Sequence, residues 1–188
     1  SLNIVGAEII SELKAHMLGA LWQTGLTDFT LLDLGGQDSK VIRVRGSRMD
    51  DFLLNDKCAA STGRYLENMA AVLGISLTEL SQHYDNPTDL SATCAIFGES
   101  ELIGKIVEGV PTSNLAAGVN YSIFRRIKPM LLSLASDVIV FTGGVALGPA
   151  VAHWLETEIG ARVVVPQHPQ LNGAIGCAVY AWKQQEKY

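Results

Sequence analysis

Three short apolar runs, Phe29 to Asp33, Lys40 to Arg45 and Phe52 to Leu54, follow one another with no room for a helix between them. Gly35-Gly36 breaks the first pair, and Gly46 with Asp50-Asp51 breaks the second. A parallel pair needs a crossover of roughly a dozen residues, so strands this close read as an antiparallel meander rather than a βαβ start. The rest of the chain has the helical period. Leu2, Val5, Ile9, Leu13 and Met17 recur near a four-residue step, which predicts an amphipathic helix over residues 2–21. Its other face aligns Glu8, Glu12 and His16. That alignment reads either as a solvated face with a Glu12–His16 contact or as a contact with another domain or partner.

After Cys58 a helix opens near Ser61 or Thr62 and buries Tyr65 or Leu66, Met69, Val72 and Leu73. Ser76 to Glu79 is a capping box that opens a short helix to about residue 82. A helix over 99–108 carries Glu101 and Lys105 as a supporting pair. A long helix opens at Pro111-Thr112-Ser113, where Pro129 is expected to kink or split it. Asp137 to Phe141 is a buried strand, and Pro149 to Gly160 a helix with proline at its start and glycine just past its end. Arg162 to Val165 is a last strand and Leu171 to about Lys183 a last helix. The expected class is α/β, a mixed sheet flanked by helices.

With 188 residues, 48% of them hydrophobic, the chain can bury a sizeable core. Its formal charge of −5 leaves basic residues scattered, apart from Arg43, Arg45 and Arg48, which argues against nucleic acid and anionic membrane as partners. No apolar run reaches the roughly 20 residues of a membrane span, and no signal pattern opens the sequence, so the expected compartment is cytoplasmic. Three cysteines, an odd number, favour reduced thiols or metal ligands over a disulfide framework.

Two glycine turns carry the candidate chemistry. In Asp33-Leu-Gly35-Gly36-Gln37-Asp38-Ser39-Lys40 the backbone can approach a ligand closely, with N–H groups free for phosphate oxygens. Asp33 would hold Mg²⁺ through water, and Gln37 would orient an attacking water. The plainer reading is a hairpin whose glycines serve only the turn. In Thr142-Gly143-Gly144-Val145 a strand passes into a helix, where adenosine and its phosphates could rest on the backbone. Cys58 and Cys94 each precede a helical run, 36 positions apart, where unpaired N–H groups and the dipole favour a thiolate. We read the pair as a metal site.

Asp33 to Lys40, Asn55 to Arg64, Cys94 to Glu101, Phe141 to Val145 and Asn172 to Gly176 resemble, in the same order, motifs of the ATPase activators of 2-hydroxyacyl-CoA dehydratases and the ATPase subunits of benzoyl-CoA reductases. The resemblance implies the fold of actin, heat-shock chaperones and sugar kinases, two lobes with Mg-ATP in the cleft. It implies a homodimer that shares one 4Fe-4S cluster and uses ATP hydrolysis to pass a low-potential electron, received from a donor such as ferredoxin or flavodoxin, to a partner dehydratase or reductase. On this likeness Cys58 and Cys94 match the cluster ligands. Gly35, Gly36, Asp38, Ser39 and Lys40, with Asp33, match the second phosphate motif, and Gly143, Gly144 and Val145 the adenosine motif.

No counterpart of the family's first Asp-x-Gly-Ser/Thr hairpin precedes Asp33, so the expectation is a chain holding the second lobe and the helical edge of the first. Its parts would be a helical remnant over 1–27, the second ATPase lobe with the cluster site over 28–170, and a returning helix over 171–188. Ser61 and Gly98 depart from the family's usual glycine and frequent alanine. A cubane needs four thiolates and each chain offers two, so a two-fold axis completes the set most simply. Zinc would need ligands at closer spacing, and only His83 lies between the two cysteines. Core packing remains an alternative for both thiols. Cys177, in the row Gly173, Cys177, Ala181, is expected to serve helix packing. The other function classes left open are a sugar kinase-like protein of the same fold and a non-redox nucleotide-binding or dimerisation module.

Overall fold

A computed structural model describes residues 8–55, 62–91 and 95–185. The expected meander is present: β1 (Phe29–Leu34), β2 (Ser39–Arg45) and β3 (Arg48–Asn55) pair antiparallel. β4 (Val138–Thr142) then lies parallel to β1, and β5 (Arg162–Val164) parallel to β4, giving the order β3-β2-β1-β4-β5. β1 is the central strand and is buried at all six positions, as a strand covered on both faces must be. Its register fixes the later chemistry, because Asp33 stands opposite Lys40 on β2 and beside Thr142 on β4.

The third strand is longer than expected. Gly46 and Ser47 supply the turn, both with positive φ, so Asp50 and Asp51 fall inside β3 rather than in a loop. There Asp50 accepts from Arg43 Nε at 2.7 Å and lies 3.8 Å from Arg45, which neutralises much of the basic group seen in the sequence.

Both faces of the sheet are covered. On one, Leu32, Leu34 and Phe141 pack with α2 (Gly63–Leu73), the short α3 (Leu77–Leu80), α4 (Ala95–Val107), α5 (Thr112–Leu134) and α6 (Pro149–Trp154). On the other, Phe29, Leu31, Ile42 and Val140 pack with Met17 and Ala20 of α1 (Glu12–Thr24). α5 runs unbroken through Pro129. The proline and Arg125, whose carbonyl it leaves without a donor, are both exposed, so water can take that carbonyl. α4 opens directly after position 94, four residues earlier than expected. Its close ion pair is Lys105–Glu108 at 2.8 Å, while Glu101 accepts from the backbone and hydroxyl of Ser91 at 2.9 Å each. Among the described residues no helix is long and apolar enough to cross a membrane.

α1 also starts later than the periodicity suggests. Ser11 caps it, accepting from Lys14 N, and Gly25 ends it in the left-handed region. It packs against α7 (Asn172–Gln185) so closely that a Cβ on Gly176 would lie 1.7 Å from Ala15 O, and one on Gly19 2.0 Å from Asn172 O. The packing row is therefore Gly173 and Gly176, not Gly173, Cys177 and Ala181. A helix has 3.6 residues per turn, and the drift carries Cys177 round to an exposed position. Gly176→Ala is accordingly expected to destabilise the fold by about 3 kcal/mol, since two backbones would have to part. Gly104→Ala, where no described atom lies within 4 Å of the new Cβ, is expected to stabilise it by up to about 1 kcal/mol. Midpoints of urea unfolding compare the two.

Candidate functional site

The C-terminal ends of β1 and β4 open into a cleft of about 530 Å³, a size that suits a nucleotide-sized ligand. Asp33 lies at its floor, 3% exposed. Its Oδ2 accepts from Thr142 Oγ1 at 2.7 Å and lies 3.2 Å from His16 Nδ1, while Oδ1 is 3.9 Å from Lys40 Nζ. Burial pushes this carboxyl up. The His16 imidazole in contact, the Thr142 hydroxyl and the Lys40 charge outweigh burial and hold it below the ordinary carboxylate value, so Asp33 is ionised at neutral pH. The His16 contact is an ion-pair approach and not an aligned hydrogen bond, which leaves the buried Nδ1 without a hydrogen-bond partner.

Lys40 is 2% exposed and bridges three elements. Its ammonium lies 2.6 Å from Asp38 Oδ2 and 3.0 Å from Glu12 Oε1 on α1. Burial pushes the ammonium down, but hydrogen bonds to Asp38 and Glu12 and the charge of Asp33 more than reverse this, so its pKa is raised. Three carboxylates thus surround one ammonium, a balance of −3 + 1 = −2 over those four groups. A bare anion would be repelled from such a floor, whereas a divalent cation carrying a phosphate chain would complete it. Mg²⁺, which keeps waters and takes one or two carboxylates together with phosphate oxygens, fits such a floor.

Both glycine turns line the cleft, through Gly35, Gly36, Gly143, Gly144 and Val145. The first is tighter than expected: Gly35 N–H closes it on Asp38 O at 3.0 Å, so that donor is not free for phosphate. The turn is also tied to α2, whose Gly63 and Arg64 N–H groups donate to Gly35 O and Gly36 O at 2.8 and 3.0 Å. At the second turn Gly143 has φ +89° and a Cβ there would meet Leu34 O at 2.2 Å, so only glycine lets the β4 loop lie against the end of β1.

Of the residues expected from sequence, Asp33, Gly35, Gly36, Asp38, Lys40, Gly143, Gly144 and Val145 meet here. Gln37 is exposed at the tip of its turn and Ser39 is buried in β2, and neither is part of the lining. Cys58 and Cys94 lie outside the described residues. What is described brings together the helices that follow them: a Cβ on Gly98 of α4 would stand 3.2 Å from the Tyr65 hydroxyl in the first turn of α2. An alanine at position 98 would crowd that tyrosine.

Glu12 and His16, for which the sequence allows either a solvated face or a contact, belong to the cleft. Their signal is the i,i+4 polar pair itself, which sequence cannot aim. Asn120, 1% exposed on α5, also lines the cleft with no sequence signal at all.

The sequence profile of the BadF/BadG/BcrA/BcrD ATPase family matches residues 3–181. The (R)-2-hydroxyglutaryl-CoA dehydratase activating ATPase of Acidaminococcus fermentans is 37% identical over 194 aligned positions, covering 100% of this chain and 73% of that protein. A benzoyl-CoA reductase component of Thauera aromatica is 32% identical, covering 94% and 66%. The solved activator of 2-hydroxyisocaproyl-CoA dehydratase from Clostridium difficile, with bound ADPNP, superposes with a TM-score of 0.91 at 35% identity, over 99% of this chain and 71% of that one. The mixed sheet flanked by helices is thus the actin-like ATPase fold.

Proposed function

Because the chain belongs to the BadF/BadG/BcrA/BcrD ATPase family, we propose that it is an ATP-dependent activator that delivers a low-potential electron to a partner of the 2-hydroxyacyl-CoA dehydratase or benzoyl-CoA reductase type. The hydrogen bonds from α2 to Gly35 and Gly36 carry this reading, because they join the floor of the cleft to the helix that follows Cys58. In the proposal Asp33 anchors the water shell of Mg²⁺, Lys40 offsets charge on the phosphate chain, and the Gly143-Gly144 turn carries the adenosine. A 4Fe-4S cluster held by Cys58 and Cys94 from each of two copies would supply one-electron transfer at low potential. The chain's part is to supply thiolates from the segments that precede α2 and α4 in sequence, and to shift the starts of those helices when the glycine turn closes on phosphate.

Calorimetry with ATP tests the cleft. With excess Mg²⁺ the nucleotide binds; with EDTA the affinity falls at least about tenfold, ~1.4 kcal/mol, because the floor is net negative without the cation. Equal affinity in both buffers would remove Asp33 and Asp38 from the phosphate end. Coupling is tested by the rate at which a chelator strips iron from the anaerobic dimer, which Mg-ATP is expected to change and Mg-ADP to leave nearer its resting value.

A further inference from the structure

Part of the same lining carries no charge: Leu77, Leu147 and Val151 are apolar, and Thr78 and Gln82 are polar but uncharged. Asn120 also lines the cleft, and its Nδ2 donates to Leu80 O at 2.7 Å and to His83 O at 2.9 Å. Two backbone carbonyls can only accept, so they fix which end of the amide faces them. Both N–H groups are spent there, and what Asn120 can still offer is Oδ1, an acceptor with no donor function. Asn120 itself is part of the cleft lining.

An acceptor-only group beside apolar side chains selects a ligand edge that carries an N–H. We infer that Asn120 is a specificity-determining residue of the nucleotide site, accepting from the exocyclic 6-amino group of adenine and so rejecting 6-oxopurines. The inference rests on the reading of the cleft as a nucleotide site. A 6-oxo group would set two acceptors face to face, and a purine with hydrogen at position 6 would leave Oδ1 desolvated and unpaired. Both lose what ATP gains. Asn120 is also a positioning residue for the pocket itself, because the same amide pins the C-terminal end of α3 to α5.

The test uses the full chain with Mg²⁺ and compares ATP, ITP, purine riboside triphosphate and N6,N6-dimethyl-ATP by competition binding. The wild type is expected to bind ATP at least about tenfold more tightly than each of the other three. In Asn120→Ala the ratio of ATP to ITP affinity is expected to fall to within about twofold, a ratio that does not depend on the folded fraction. Should that variant fail to fold, the side-chain amide resonance of Asn120 in the wild type decides, shifting with ATP and not with ITP. Equal binding of all four nucleotides overturns the inference while leaving the cleft a nucleotide site. Discrimination that survives in Asn120→Ala, or an amide resonance indifferent to ATP, overturns it too. Failure of every nucleotide to bind overturns the cleft's assignment instead, and this inference with it.

Discussion

Protein reconstituted anaerobically with iron and sulfide is expected to hold about one four-iron cluster per two chains, and Cys58→Ala or Cys94→Ala to lose nearly all of that iron. Stoichiometry and placement both lead there. Four thiolates are needed, two candidates are present per chain, and the helices after them touch through Tyr65 and Gly98. Removing one thiol per chain removes two ligands per cluster, which is why the expected effect is near total rather than partial. Cys177→Ala supplies the control. Its thiol is exposed on α7 and should be alkylated readily, with no change in bound iron. Iron and sulfide assays together with the mass in solution check all three variants. Iron retained in Cys58→Ala, or a monomer holding a full cluster, would sink the shared site.

Asp33→Asn is expected to reduce ATP hydrolysis by about two orders of magnitude or more while leaving the fold intact. The substitution keeps the shape and a partner for Thr142, and Lys40 keeps Asp38 and Glu12. What disappears is the one carboxylate at the floor that both neighbouring strands hold in register. Without it the water shell of the cation loses its anchor, so kcat should suffer far more than the thermal midpoint, which is expected to move by only a few degrees. Single-turnover assays beside a melting curve separate the two effects. Hydrolysis at the wild-type rate would remove Asp33 from the chemistry.

The Asn120 ligand series and the Gly176 variant probe positions whose contacts no local pattern in the sequence gives away, and the reason is the same in both. Gly176 and Asn120 sit in helices whose local pattern is ordinary. Their constraint comes from residues far away in sequence: Ala15 for Gly176, and Leu80 and His83 for Asn120. Cys177 shows the converse. A spacing of four residues places it on the packing row, and the true pitch of the helix moves it off.

The sequence alone determined what depends on neighbours along the chain. Short apolar runs with glycine between them had to become antiparallel strands. Ser76 had to cap α3, and Pro149 and Gly160 had to bound a helix, because turns and caps are satisfied within a few residues. The glycine turns with Asp33, Asp38 and Lys40 were legible for the same reason. Only the tertiary structure decided where the helix faces point. It brought Glu12 and His16 from α1 to the charged floor, and set Asn120 of α5 in the lining of the same cleft. Periodicity says that a helix has a polar face, but the partner of that face is chosen by long-range packing, here by α7 lying against glycines that leave α1 nowhere else to sit.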